Sequence, residues 1–144
     1  NFFSFNVWKV YRISIIILGL ISFFAIKSLK TTDLNKIAIF SLIIFNPYSF
    51  RLFYAAPGMI SDLGIYVAFL IIICGILNKS NTQIIGGIFL SVISRQTSIM
   101  LVPILILLTY FDYISYKNCI KYIFIIIVGF ILIKIITANI TSLG

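Results

Sequence analysis

The residue with the clearest chemical potential is Arg95, which lies between two apolar runs, residues 88–93 and 99–102. A charged side chain near the centre of a bilayer costs about 2.5 to 3.5 kcal/mol on insertion scales, so such residues usually face a polar cavity or a partner. The planar guanidinium donates two parallel hydrogen bonds to a phosphate and stays charged. Gln96 and Thr97 extend this polar patch. The pattern predicts an anion-binding site; the alternative is that Arg95 reaches a membrane surface or caps a helix break.

A second set of candidates lies on the aromatic-rich link 48–62. Tyr54 offers a face that stacks on a sugar ring or sits at lipid headgroup level. Arg51 adds a second positive charge for a phosphate, or anchors the chain at the membrane surface. Asp62, one of three carboxylates in the chain, is a weak candidate for a catalytic residue, and its structural alternative is to cap the following helix.

Several classes of chemistry lack the residues they need. The chain has no histidine, which removes the usual general base and the commonest transition-metal ligand. Cys74 and Cys119 have no CxxC spacing, so we interpret them as packing residues. No nucleotide-binding glycine loop and no paired carboxylates occur. We therefore expect no metal and no cofactor, and the catalytic residue of an enzyme would remain unknown from this chain.

The composition indicates a membrane protein. Hydrophobic residues make up 62% of the 144 residues and charged residues 10%, whereas soluble domains carry about 25% charged residues. The formal charge is +8, but the basic residues flank apolar stretches, as orientation signals and headgroup anchors do. They form no cluster dense enough to grip a phosphate backbone, so we expect membrane lipid and no nucleic acid as a partner.

About five apolar segments predict an all-α fold, a polytopic transmembrane helical bundle with some short or broken helices. We expect these segments at 10–29, 37–45, 63–77, 84–111 and 120–136. Residues 1–144 would form a single transmembrane domain. The chain starts at Asn1 and stops soon after an apolar stretch, so we interpret it as a fragment of a larger membrane protein.

Two segments do not fit a simple span. Segment 37–45 stops at Asn46-Pro47 and would climb only about 14 Å, roughly half the hydrocarbon thickness. Segment 84–111 would extend about 42 Å as a helix, with the Arg95 patch near its middle, so it is either tilted or broken there. Pro103 predicts a second kink. The short polar turn 78–83 predicts a helical hairpin.

Glycines and lysines add two further expectations. Gly86 and Gly87 would permit close helix packing. The link 27–36 is the most basic of the chain and would face the cytoplasm by the positive-inside rule, which would place residues 46–62 on the extracytoplasmic side.

Taken in order, Tyr54, Asp62, the span after it, the polar turn and the run 95–99 resemble one family. The run resembles the Arg-Gln-Thr-Asn-Ile motif of the polyprenyl-phosphate-sugar-dependent glycosyltransferases of the GT-C type, particularly the dolichyl-phosphate-glucose glucosyltransferases. Arg95, Gln96, Thr97 and Ile99 match this motif, and Ser98 replaces its asparagine. The resemblance covers roughly residues 50–108.

The resemblance implies inverting transfer of a sugar from a polyprenyl-phosphate donor to a glycan acceptor on the extracytoplasmic face. Arg95, Gln96, Thr97, Tyr54 and Arg51 would bind substrate, and the catalytic acid of this family would lie upstream of the chain. The Ile, Lys and Asn bias indicates an AT-rich bacterial genome, hence a multi-pass inner-membrane protein with a lipid-linked or surface glycan as acceptor. Two alternatives remain open: a polytopic transporter with Arg95 lining an anion path, and a membrane-embedded subunit without a site of its own.

Overall fold

The computed structural model describes residues 2–45, 60–94, 98–99 and 101–141, and all of its regular elements there are helices. The all-α prediction is therefore confirmed. Six helices occur in this part of the chain: α1 Phe2–Lys27, α2 Asp33–Phe45, α3 Ile60–Leu77, α4 Asn81–Ser94, α5 Leu101–Tyr110 and α6 Tyr116–Thr141. Three segments are long and apolar enough to cross a membrane: Trp8–Lys27 within α1, Ile60–Leu77 and Tyr116–Ala138 within α6.

Apolar side chains cover much of the outer surface of these long helices. Phe24 on α1, Ile73 on α3 and Phe124 on α6 are each more than half exposed. A water-soluble domain rarely exposes apolar surface of this extent, whereas lipid tails solvate it without cost. The outer surface therefore agrees with the membrane-spanning capacity of the helices.

Helices that follow one another in the chain run in alternating directions. Ile15 and Leu18 of α1 pack with Leu63 near the start of α3, while Ile26 packs with Cys74 near the end of α3, so α1 and α3 are parallel. Helix α2, which lies between them in the sequence, runs in the opposite direction. One end of the bundle therefore holds the ends of α1 and α3 and the starts of α2 and α4, and we name it the basic end. The opposite end is the Asp62 end.

Segment 84–111 is two helices that run in opposite directions, so of the two predicted possibilities the broken helix is correct. Asn81 at the start of α4 and Asn118 at the start of α6 line one cavity together with Tyr113, which follows α5. The start of α4 and the end of α5 thus lie at the same end of the bundle. Helices α4 and α5 are therefore antiparallel.

The predicted kink at Pro103 is wrong. Pro103 is the third residue of α5, where a helical N–H has no partner within its own helix. The missing proline N–H therefore costs no hydrogen bond there. Helix α2 spans 13 residues, Asp33–Phe45, and the predicted interruption at Asn46-Pro47 lies outside the described residues.

Small residues hold α3 and α4 together. A Cβ on Gly75 would lie 2.8 Å from the backbone nitrogen of Ile84, and a Cβ on Gly87 would lie 2.8 Å from the carbonyl oxygen of Ala68. Such close approach of two backbones is typical of helix pairs in membranes. The prediction of close packing thus holds for Gly87, whereas Gly86 has open space around it.

Two polar clusters connect helices at the basic end. The Asn78 side-chain amide donates to Ser28 Oγ at 3.0 Å and to Gln83 Oε1 at 3.1 Å, and Gln83 Nε2 donates to Ser28 Oγ at 2.8 Å. In the second cluster, the fully buried Tyr122 donates its hydroxyl hydrogen to Asn81 Oδ1 at 2.7 Å. The first cluster joins α1, α3 and α4, and the second joins α4 to α6.

Replacement of Tyr122 by phenylalanine should lower the free energy of unfolding by about 1 kcal/mol, because Asn81 Oδ1 loses its short donor while the ring still fills its site. The measurement is the thermal midpoint of unfolding of the detergent-solubilised protein, which should be lower for the variant than for the wild-type protein. Tyr113→Phe is the matched control, since that tyrosine lines the same cavity but is exposed. Equal midpoints for the two variants would contradict a structural role for the Tyr122 hydroxyl.

Candidate functional site

Asp62 is the one predicted site residue whose position the structure describes. Arg95, Gln96, Thr97, Tyr54 and Arg51 lie outside the described residues. The site is therefore built from what surrounds those positions in the chain: the start of α3, the end of α4 and the short 3₁₀ segment at residues 98–99.

Asp62 occupies the first turn of α3. The free N–H groups of a first turn carry partial positive charge, so a carboxylate there stabilises the helix. The next residue, Leu63, is fully buried, as is Val67 one turn later, and both pack in the cluster with α1. This packing holds the first turn of α3, and with it Asp62, against the bundle.

The end of α4 contacts the start of α3. A Cβ on Gly64 would overlap Ser94 Oγ and would come within 2.8 Å of Ser94 Cβ. Ser94 Oγ itself donates to the carbonyl oxygen of Leu90 at 2.7 Å, so its position is held by its own helix. Ser94 directly precedes Arg95 in the chain, and Gly64 follows Asp62 by two residues. The contact thus brings the chain leading into the Arg95 patch beside the first turn of α3.

Ser98 is a buried polar residue on the other side of the Arg95 patch. It is 3% exposed, and its Oγ has no hydrogen-bond partner among the described residues. An unpaired buried hydroxyl costs roughly 1 to 3 kcal/mol, and such groups concentrate at functional sites. Sequence reasoning noted Ser98 only as a departure from the family motif, and its place at the end of the polar run 94–98 gave no sign that it is buried.

The depth of this region follows from helix lengths. Helix α4 has 14 residues and rises about 20 Å, and α5, with 10 residues, rises about 15 Å. Both values are below the roughly 30 Å thickness of a hydrocarbon core. By contrast, α6 has 26 residues and rises about 39 Å. Neither α4 nor α5 alone is long enough to cross the hydrocarbon core.

Among the residues that the structure describes, charge differs between the two ends of the bundle. Six lysines lie at the basic end, against two aspartates: Lys27, Lys30, Lys36, Lys79, Lys117 and Lys121, with Asp33 and Asp112. Asp33 pairs with Lys36 at 3.2 Å. The Asp62 end holds Lys9, Arg12 and Lys134 among the described basic residues.

The described residues contain no group of three histidine, cysteine or acidic side chains that could hold a metal ion. Cys74 and Cys119 are free thiols, both buried, and they belong to separate apolar clusters. Their packing in the interior agrees with the prediction from their spacing.

At the Asp62 end, the end of α4 thus lies beside the start of α3, and Ser98 is a buried hydroxyl without a hydrogen-bond partner in the part of the chain that the structure describes. The chemistry of this region depends on the residues that the sequence places between Ser94 and Ser98. Neither a family model, nor a curated protein, nor a solved structure matches the chain.

Proposed function

We propose that the chain belongs to a GT-C-like glycosyltransferase, which moves a sugar from a polyprenyl-phosphate donor to a lipid-linked or surface glycan. The observation that carries this proposal is the contact of Ser94 with Gly64. Two parts of the predicted site, Asp62 and the chain leading to Arg95, are 32 residues apart or more in sequence, yet they meet at one end of the bundle. A donor phosphate bound there would lie beside the chain that leads into Arg95, Gln96 and Thr97.

The residues suit the reaction. An acceptor hydroxyl attacks the anomeric carbon of the sugar, the bond from that carbon to the phosphate oxygen breaks, and the lipid phosphate leaves with an added negative charge. Arg95 would stabilise this charge through two parallel hydrogen bonds. A carboxylate that takes the hydroxyl proton completes the reaction, and in this proposal it lies in a part of the protein outside this chain.

The distribution of charge supports a topology for the enzyme. Lysines of three separate links, among them Lys30, Lys79 and Lys117, lie at the basic end. By the positive-inside rule this end faces the cytoplasm, so the Asp62 end faces the extracytoplasmic side, where polyprenyl-phosphate sugars are used. We accordingly place the protein, as a multi-pass protein, in a bacterial inner membrane.

A transporter is the second candidate, because the pair α4 and α5 is one discontinuous segment that turns back within the bundle. Transporters build ion sites at such discontinuous helices. The two functions differ in what happens to the substrate, since a transferase breaks the bond between sugar and phosphate, whereas a transporter moves the anion unchanged.

The deciding experiment uses the full-length protein in phospholipid vesicles, with polyprenyl-phosphate [¹⁴C]glucose as donor and a membrane extract as the source of acceptor. We expect label to move into a product that no longer carries the polyprenyl phosphate. Uptake of labelled phosphate or of a sugar phosphate into the vesicles, without any transfer, would instead favour the transporter.

Asp62→Asn should retain transfer to within about twofold, because asparagine keeps the size of the side chain and an acceptor oxygen, and the proposal gives this carboxylate no part in the reaction. Loss of the charge removes its interaction with the helix dipole, about 0.3 to 1 kcal/mol. The measurement is the initial rate of transfer in the same vesicles. A loss of about a hundredfold, typical of a removed general base, would make Asp62 the catalytic residue and overturn its assignment to helix stability.

A further inference from the structure

A groove at the basic end of the bundle lies on the side opposite to the proposed sugar-transfer site. It has a volume of about 470 Å³ and runs between α2 and the end of α3. The residues at its mouth are polar or charged: Lys30, Thr31, Asn35 and Asn78. Its remaining walls are apolar. This inference does not depend on the proposed function.

The apolar wall of the groove is one face of α2. Ala38, Ile39 and Leu42 follow Asn35 at helical positions i+3, i+4 and i+7, so they lie in a row along the helix. The row runs about 10 Å from Asn35 to Leu42, and Leu77 of α3 faces it across the groove. Leu42 is 73% exposed, so the deep end of the groove opens toward the membrane.

The mouth of the groove is electrically positive. Lys30 is exposed and is the one charged side chain among the described residues that line the groove, and Asp33, the acid nearest to it in the chain, is paired with Lys36 outside this groove. The start of α2 adds the positive end of a helix dipole. The opposing negative end of α3 is weakened, because its last carbonyls accept hydrogen bonds from Asn78 and the two residues after it.

We propose that this groove binds an anionic phospholipid of the leaflet at the basic end. The phosphate lies at the mouth, against Lys30 and the polar side chains of Thr31 and Asn35, and one acyl chain follows Ala38, Ile39 and Leu42 down the groove. A free phosphate would leave this apolar row without a partner, and a zwitterionic lipid would bring a second cation to a mouth that is already positive. The positive mouth of the groove thus matches the lipid phosphate, and its apolar row matches an acyl chain.

The test is native mass spectrometry of the full-length protein in detergent, titrated with phosphatidylglycerol or with phosphatidylcholine of the same chain length. The wild-type protein should retain phosphatidylglycerol with the higher affinity. Lys30→Gln should weaken phosphatidylglycerol binding about fivefold, the effect of one basic residue near an anionic lipid surface. Ala38→Phe, which fills the groove, should abolish retention of both lipids.

Lys117→Gln is the matched control, because Lys117 is an exposed lysine at the same end but on α6; its lipid binding should equal that of the wild-type protein. Equal retention of the two lipids by the wild-type protein would overturn the proposal. So would equal phosphatidylglycerol affinities for Lys30→Gln and Lys117→Gln. Since Lys30 is exposed, neither lysine substitution should impair folding, and normal sugar transfer by both variants would confirm that the proposed catalytic site is separate.

Discussion

Arg95→Ala is expected to lower the rate of sugar transfer about 10² to 10³-fold, the usual effect of removing a group that stabilises charge in a transition state. In the proposed reaction, the leaving lipid phosphate gains negative charge as the bond to the sugar breaks. A guanidinium already in place interacts with that charge more strongly than with the ground-state donor. The measurement is the single-turnover rate of label transfer from polyprenyl-phosphate [¹⁴C]glucose in vesicles.

Two further variants decide what the guanidinium contributes. Arg95→Lys keeps the charge but not the planar fork that donates two parallel hydrogen bonds, so its rate should also fall, by a smaller factor. Arg12→Ala is the control, since Arg12 is an exposed basic residue of α1 at the Asp62 end, and its rate should not change. Full activity of Arg95→Lys would reduce the proposal to a requirement for positive charge, and full activity of Arg95→Ala would end it.

The spanning helices were predictable because their sequence signals agree. Segment 63–77 is uninterrupted apolar sequence, and the structure has a helix there, Ile60–Leu77. The polar turn after it, with Asn78 and Lys79, predicts a reversal that the structure shows. Lys79 takes a positive φ of 53°, and the N–H of Ser80 bonds to the carbonyl of Gly75 at 2.8 Å, a common way for a helix to end.

The reversal between α4 and α5 could not be predicted with the same certainty. Residues 84–111 are apolar on both sides of the Arg95 patch, and hydropathy carries no information on direction. Only contacts between distant residues determine the direction, above all the hydrogen bond from Tyr122 to Asn81, 41 positions earlier in the chain. The sequence of this segment is therefore equally compatible with one long tilted helix and with two helices that run in opposite directions.

The candidate site was predictable in its residue types but not in its assembly. Arg95 stands out in any hydropathy profile, and Asp62 stands out as one of three acids. That the chain before Arg95 lies beside the first turn of α3 depends on Gly64, because only a residue without a side chain admits Ser94 at that distance. The sequence directed attention to the pair Gly86-Gly87 instead.

Gly87→Ala is expected to destabilise the protein by about 2 kcal/mol or more, as overpacking of a tight interior does. The new Cβ would lie 2.8 Å from the carbonyl oxygen of Ala68 and 3.1 Å from the backbone nitrogen of Ile72. Backbone atoms cannot rotate away as a side chain can, so α3 and α4 would have to move apart. The measurement is the thermal midpoint in detergent, or the fraction folded along a denaturant titration.

Gly86→Ala is the matched control, because a Cβ on the neighbouring glycine would meet no atom of another residue within 4 Å among those the structure describes. Alanine is favoured over glycine in a helix by up to about 1 kcal/mol, so this variant should be as stable as the wild-type protein or more stable. Both substitutions change helix propensity equally, and their difference therefore isolates the contact between α3 and α4. Equal stability of the two variants would show that this contact does not hold the hairpin together, and the position of Ser94 beside Gly64 would lose its structural basis.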